Sequence, residues 1–245
     1  MARYDHVNQG TKMKHYKYGG STAKRTINCP SWVDEAAKNP QNNASYAAAE
    51  GTLLHNLMEQ LIEDNESDPK DFVGGGYEID GHALTIDEDH VERLDMALAA
   101  FIELDAKYRF DDVLIEAEFS ISDDIGGTCD IMAYNDTHVI VLDWKFGQGI
   151  AVDPVENAQG LFYAMCAEHT LPELFKDKQI VIAIVQPMPS RNDSDTLKTW
   201  EVPRGHLYSF VKAYMKAVRS KGYAAGAHCT FCAGAATCPL KIQDA

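Results

Sequence analysis

Residues 113–146 hold three consecutive segments whose side chains change character with period two: VLIEAEFSI, TCDIMAY and HVIVLDWKF, with NDT between the second and third. That spacing predicts an antiparallel meander, because successive strand side chains point to opposite faces and short polar turns join hairpins. In the first segment Ile115, Ala117, Phe119 and Ile121 alternate with Leu114, Glu116, Glu118 and Ser120, which predicts a strand with one polar face. In the third, Val139, Val141, Asp143 and Lys145 fall on one face and Ile140, Leu142, Trp144 and Phe146 on the other. An aspartate and a lysine therefore sit side by side on an otherwise apolar strand. Buried charges are costly unless they are paired or used, so the pair is either a structural salt bridge or part of a site.

Helical patterns bracket the meander. SYAAAEGTLLHNLMEQLIEDN carries Leu53, Leu54, Leu57, Met58, Leu61 and Ile62 at helical spacing, and DEDHVERLDMALAAFIELDAKY has acidic residues in its first turn, as the helix dipole favours. Between them SDPKDFVGGGYEIDGHALT is turn-rich with room for a short hairpin. After the meander come a helix in PVENAQGLFYAMCAEH, a nearly all-apolar central strand in QIVIAIVQP and an edge strand in LKTWEVP. A last helix runs from Pro203 to Tyr223. This order predicts a mixed α/β fold with one central sheet flanked by helices. No repeat or linker divides it, so residues 21–245 read as a single domain behind a basic arm at residues 1–20.

Charge bounds the partners. A formal net charge of -15 counts against a protein that coats nucleic acid over its whole surface, but a local basic groove remains compatible with it. Residues 1–25 hold Arg3, Lys12, Lys14, Lys17, Lys24 and Arg25 against Asp5 alone, either as a solvated tail or as a phosphate-contacting segment. No apolar run reaches the length of a membrane span and MARYDHVNQG has no signal-peptide core, so a cytoplasmic protein without a membrane partner is expected.

Consecutive strands would gather Glu116, Asp130, Asp143 and Lys145 at one end of the meander. Three carboxylates in one place need a positive partner. Oxygen ligands suit Mg²⁺ or Mn²⁺, and a lysine beside the metal can orient a water or offset developing negative charge. Of the six cysteines, Cys229, Cys232 and Cys238 are spaced C-x2-C-x5-C-P, and Cys29 stands two hundred residues before the first of them. Cys129 and Cys166 lie in apolar, regular segments and read as core residues.

These residues carry a resemblance. GGTCDIMAY, with VLDWKFG following, is similar to the G-x-x-D … D-x-K core of the PD-(D/E)XK nuclease superfamily. EGTLLH, ending in His55, resembles the G-x-x-x-H motif of its RecB-like branch, and the segment from Gln159 to Tyr163 resembles that branch's Q-x-x-x-Y motif. STAKRTINCPSW is similar to the opening of phage-encoded members. Cys129 stands where the superfamily name has proline, and Asp143 where many members have glutamate. The resemblance implies a restriction-endonuclease-like core in which Asp130, Asp143, His55 and the backbone carbonyl of Trp144 bind a divalent metal. Lys145 would position the attacking water, Glu116 would admit a second metal, and Gln159 and Tyr163 would contact the nucleic-acid strand.

AddB-type nucleases and CRISPR-associated RecB-like nucleases resemble this chain in their cysteines as well. The likeness implies that Cys29, Cys229, Cys232 and Cys238 hold a 4Fe-4S cluster that staples the chain ends together, although four thiolates also suit Zn²⁺. The implied activity is a Mg²⁺- or Mn²⁺-dependent deoxyribonuclease, an exonuclease in phage or bacterial DNA processing and recombination. DNA is the expected partner, with a second copy of the chain or a recombination or replication protein as a further one. The rival reading is a non-catalytic DNA-binding or complex-forming protein that retains the fold and cluster.

Overall fold

The computed structural model describes residues 3–4, 16–39, 44–64, 67–147, 149–188 and 195–242. In chain order it begins with β1 (Arg3–Tyr4), α1 (Ala23–Asn28) and α2 (Trp32–Ala36). The first long helix, α3 (Tyr46–Glu63), starts where the Ser45 side chain accepts from the Ala48 N–H at 3.2 Å, and the six expected apolar residues from Leu53 to Ile62 are buried. A hairpin of β2 (Gly76–Ile79) and β3 (His82–Thr85) follows, turned by Asp80 and Gly81, which both have positive φ as a tight two-residue turn requires. The second long helix, α4 (Glu88–Tyr108), is capped by Asp87.

The meander follows as β4 (Asp112–Ser120), β5 (Gly126–Tyr134) and β6 (His138–Trp144), paired antiparallel in sequence order. Then come α5 (Ala158–Thr170), α6 (Pro172–Phe175), β7 (Gln179–Val185), β8 (Leu197–Val202), α7 (Arg204–Val218) and α8 (Pro239–Ile242). Strand order is β1-β4-β5-β6-β7-β8, a mixed sheet in which β7 lies parallel to β6 through the α5 crossover and β8 takes the edge. The two-residue β1 adds parallel to β4, while residues 5–15 of the expected basic arm lie outside the described residues.

Helices cover both faces, so β6 and β7 are buried along nearly their whole length. On one face α3 and α4 pack Leu54, Leu57, Leu94 and Leu104 against Ile140, Leu142 and Trp144. On the other α5 and α7 pack Phe162 and Tyr214 against Val139, Val141 and Ile182. No helix among the described residues is long and apolar enough to cross a membrane.

Two sequence expectations are corrected. Strand β4 does not keep one polar face: Val113 and Ile115 face the α3–α4 layer, whereas Ala117 and Phe119 face the α5–α7 layer. The change falls at Glu116, whose φ of 46° is left-handed and reverses the side to which the following residues point. Strand β5 changes face at the same level, since Ile131 and Ala133 join the first layer but Cys129 the second. The ladder keeps its register across the break, with Ile115 opposite Ile131 and Ala117 opposite Cys129. Second, the last long helix stops at Val218 instead of Tyr223. There the chain leaves helical conformation so that Gly222 can exchange hydrogen bonds with Ser31, its N–H donating to Ser31 Oγ at 2.9 Å and its carbonyl accepting from the Ser31 N–H at 3.0 Å.

Close packing of α5 on β7 depends on Gly160, where a Cβ would lie 2.6 Å from Cγ2 of Ile182, a stiff β-branched neighbour. Gly160→Val is expected to destabilise the protein by about 1–3 kcal/mol through overpacking, read as a lowered urea midpoint at unchanged slope.

Candidate metal and phosphate site

The site forms where the sheet comes apart. Strands β5 and β6 pair as far as Ile131 opposite Leu142, and one residue beyond that pair on each strand stand Asp130 and Asp143. The Trp144 N–H donates to Asp130 Oδ2 at 2.8 Å, while the Lys145 N–H donates to the Val185 carbonyl at 2.9 Å. Trp144 is thereby turned to β5 and Lys145 held on β7.

Asp143 is almost fully buried, and its partners make that tolerable. The Lys145 ammonium forms an ion pair with Oδ2. Gln159, from the first turn of α5, donates through Nε2 to Asp143 Oδ1 at 2.7 Å and accepts from Lys145 Nζ at 3.0 Å on Oε1. One amide thus serves both charges. Its helix is started by Asn157, whose side chain accepts from the N–H groups of Gln159 and Gly160.

His55 approaches from α3. Its Nδ1 lies 3.5 Å from Asp130 Oδ2, its ring edge meets Phe146 at a centroid distance of 5.5 Å, and a backbone hydrogen bond joins it to Trp144. Burial lowers the imidazole pKa to about 4, against the pull of Asp143, so the ring is neutral at physiological pH and free to donate a lone pair. Burial works in the other direction on the carboxyls. Asp130 is pushed up to about 6 by burial against its Trp144 hydrogen bond, and Asp143 to about 6 by burial against Lys145. Glu116 reaches about 8, first through burial and then through the charges of Asp130 and Glu59.

His55, Glu116 and Asp130 each place one ligand atom within 4.8 Å of the others. That set of one nitrogen and two carboxylate oxygens suits a divalent cation. Of the residues expected from sequence, Asp143 lies beside this group but is engaged by Lys145 and Gln159. Tyr163 lies on α5 one turn from Gln159, with which it hydrogen-bonds, and is buried beneath Gly20 and Gly127. Burial raises its hydroxyl far above the usual phenol range. The two glutamates of β4 part company: Glu118 accepts from the Tyr16 hydroxyl, while Glu116 joins the cluster. Glu59 was not singled out from the sequence, although its position four residues after His55 on one helix face was the available signal.

The cysteines meet elsewhere. Cys29, Cys229, Cys232 and Cys238 all line one cavity of about 250 Å³, together with Arg25 and Trp32. Hydrogen bonds sew its walls: Arg25 donates to the carbonyls of His228 at 3.0 Å and Thr230 at 3.1 Å, Tyr223 donates to Glu35 at 2.6 Å, and Asn39 to Thr237 at 2.8 Å. Lys38, Tyr223 and Thr237 together hold the Glu35 carboxyl down at about 2. Cys129 and Cys166 are core residues, as expected.

Fold and site together define a mixed α/β protein with a carboxylate–histidine cluster beside a half-buried lysine. Residues 15–245 match the family described as "Protein of unknown function (DUF2800)", and the chain belongs to that family. It is also similar to the protein described as "Crystal structure of SSO0001", at 12% identity and a TM-score of 0.40 over 96% of this chain and 89% of that one.

The pKa shifts set a pH dependence. Glu116 titrates near 8 in the folded protein against an ordinary 4.5, so its contribution to stability is complete below 4.5 and lost as pH rises through 8. His55 has the opposite sign, its contribution being present above 6.5 and lost as pH falls through 4. The two windows overlap below pH 6.5, and above it Glu116 alone of the two still titrates. Metal-free protein is expected to lose stability from neutral pH to pH 8 by up to about 1.4 kcal/mol per pH unit, and Glu116→Gln to flatten that slope. Urea midpoints across the range in EDTA measure it; an equal slope in the variant would place the proton on another group.

Proposed function

We propose that the chain is a Mg²⁺- or Mn²⁺-dependent deoxyribonuclease of the PD-(D/E)XK type and RecB-like branch, acting as an exonuclease in phage or bacterial DNA processing. The observation that carries this reading is the meeting of His55, Glu116, Asp130, Asp143, Lys145 and Gln159, drawn from five separate elements, around one gap in the sheet. A surface ion-pair network has no need of a neutral histidine or of carboxyls buried deeply enough to hold protons near neutrality.

His55, Glu116 and Asp130 would hold the cation, with Asp143 and the Trp144 carbonyl as the further groups beside it. When bound, a divalent cation supplies Lewis-acid polarisation of a phosphodiester and lowers the pKa of a water. Lys145 offsets negative charge developing on the phosphate oxygens, and Asp143 and Gln159 fix where its ammonium stands. The exclusion of water around Asp143 strengthens each of these interactions. Tyr163, buried beneath Gly20 and Gly127, supports Gln159 from the next turn, and Gln159 is assigned to the strand near the cut.

The cysteine cavity supports the cluster half of the reading. Cys29, Cys229, Cys232 and Cys238 line one cavity although nearly two hundred residues separate the first from the rest. Four thiols brought together suit a 4Fe-4S cluster or Zn²⁺, and the C-x2-C-x5-C-P spacing with its distant fourth cysteine is what favours the cluster.

Anaerobically purified protein, assayed on end-labelled linear and circular DNA with Mg²⁺ or Mn²⁺, tests both halves. Wild type is expected to degrade linear DNA and Lys145→Ala to lose at least about a hundredfold in rate. The same sample should show the broad visible absorption of an iron–sulfur cluster, abolished in Cys232→Ser. DNA binding without cleavage would establish the non-catalytic reading, and zinc without iron would replace the cluster.

A further inference from the structure

Helix α3 carries a glycine that the folded chain does not require. Gly51 is the sixth residue of this 18-residue helix, an interior position where glycine is disfavoured more than any residue but proline. Two ordinary reasons for such a glycine are absent. Its φ is not positive, and an added Cβ would meet nothing within 4 Å. Gly160 shows the contrast, because its Cβ would collide with Ile182.

The position of the vacancy is informative. Gly51, His55 and Glu59 follow one another at four-residue spacing and are all partly exposed, while Leu53, Leu54, Leu57 and Met58 are buried. They form the row of α3 that carries His55 to Asp130. The neighbouring Glu50 holds this part of the helix in place, receiving Arg93 at 3.3 Å and meeting His90 Nε2 at 3.1 Å. Gly51 is therefore bare, open helix surface one turn before His55.

We propose that Gly51 marks the path of the substrate, a nucleic-acid strand whose sugar–phosphate backbone crosses α3 against the bare helix surface before reaching His55 and Asp130. This rests on the nuclease reading and deepens it: the site takes an extended strand, with contact beyond the scissile group, and not only a mononucleotide ester. The absence of a side chain lets the backbone approach closely, and each added carbon would push it away.

The test is the affinity for a fluorescent single-stranded oligonucleotide, measured by anisotropy in EDTA so that cleavage cannot intervene, for wild type, Gly51→Ala and Gly51→Leu. Affinity is expected to fall in steps with side-chain size, by about tenfold or more for Gly51→Leu. The melting temperature should stay level or rise, because both replacements are better helix formers in open space. Gly205→Leu, in α7 and likewise facing nothing within 4 Å, is the control and should bind as wild type does. Unchanged affinity in Gly51→Leu would overturn this inference alone. Wild type that binds in EDTA but does not cleave when Mg²⁺ or Mn²⁺ is supplied would remove the nuclease reading while the variant series still decides the path, and wild type that does not bind the strand would overturn both.

Discussion

A charge in the middle of an apolar sheet is the constraint around which the rest is arranged. Asp143 stands next to the end of β6, a strand buried along nearly its whole length, and it is tolerated because Lys145 neutralises it and one amide of Gln159 satisfies both partners. That arrangement dictates the neighbourhood. The α5 crossover must bring its first turn to the end of β6, which it does because β6 and β7 are parallel, and Gly160 lets α5 lie close enough to β7. The lysine must stay in line with β7, which its backbone bond to Val185 secures.

The meander, both long helices, the hairpin and the edge strand were legible because each follows from side-chain period, caps and turn residues. So was the company of Asp130, Asp143 and Lys145, since residues near the ends of consecutive strands have little choice of neighbour. The change of face at Glu116 was not legible. It depends on one left-handed backbone conformation at a residue that rarely adopts it, and the pattern of apolar side chains around it reads equally well as simple alternation. Breaking that alternation costs the strand regularity, yet it sends a glutamate to the cluster that also holds Asp130. The early end of α7 was hidden for a different reason: helical propensity is local, whereas the competing bonds to Ser31 come from the far end of the sequence.

The cysteine cavity and the carboxylate site lie on different parts of the fold but share a support. Helix α1, from which Arg25 reaches the C-terminal segment, packs on α5 and α7, and α5 carries Gln159 and Tyr163. The segment containing Gly20 also rests on Tyr163. The wall that closes the cysteine cavity is thus one layer removed from the helix that organises Asp143 and Lys145.

The seam between residues 25–39 and 221–238 has a consequence for the order in which the chain can be made. The early segment leaves the ribosome first, but the groups that satisfy Arg25, Ser31, Glu35 and Asn39 arrive some two hundred residues later. During synthesis the central sheet can assemble while this segment is still unpartnered. Its closure must wait for residues 221–238, and contacts separated so widely in sequence close slowly. A chain stalled before residue 221 would own most of its candidate catalytic groups yet have no finished cysteine chamber, so the nascent protein passes through a stage at which only one of its two candidate sites exists.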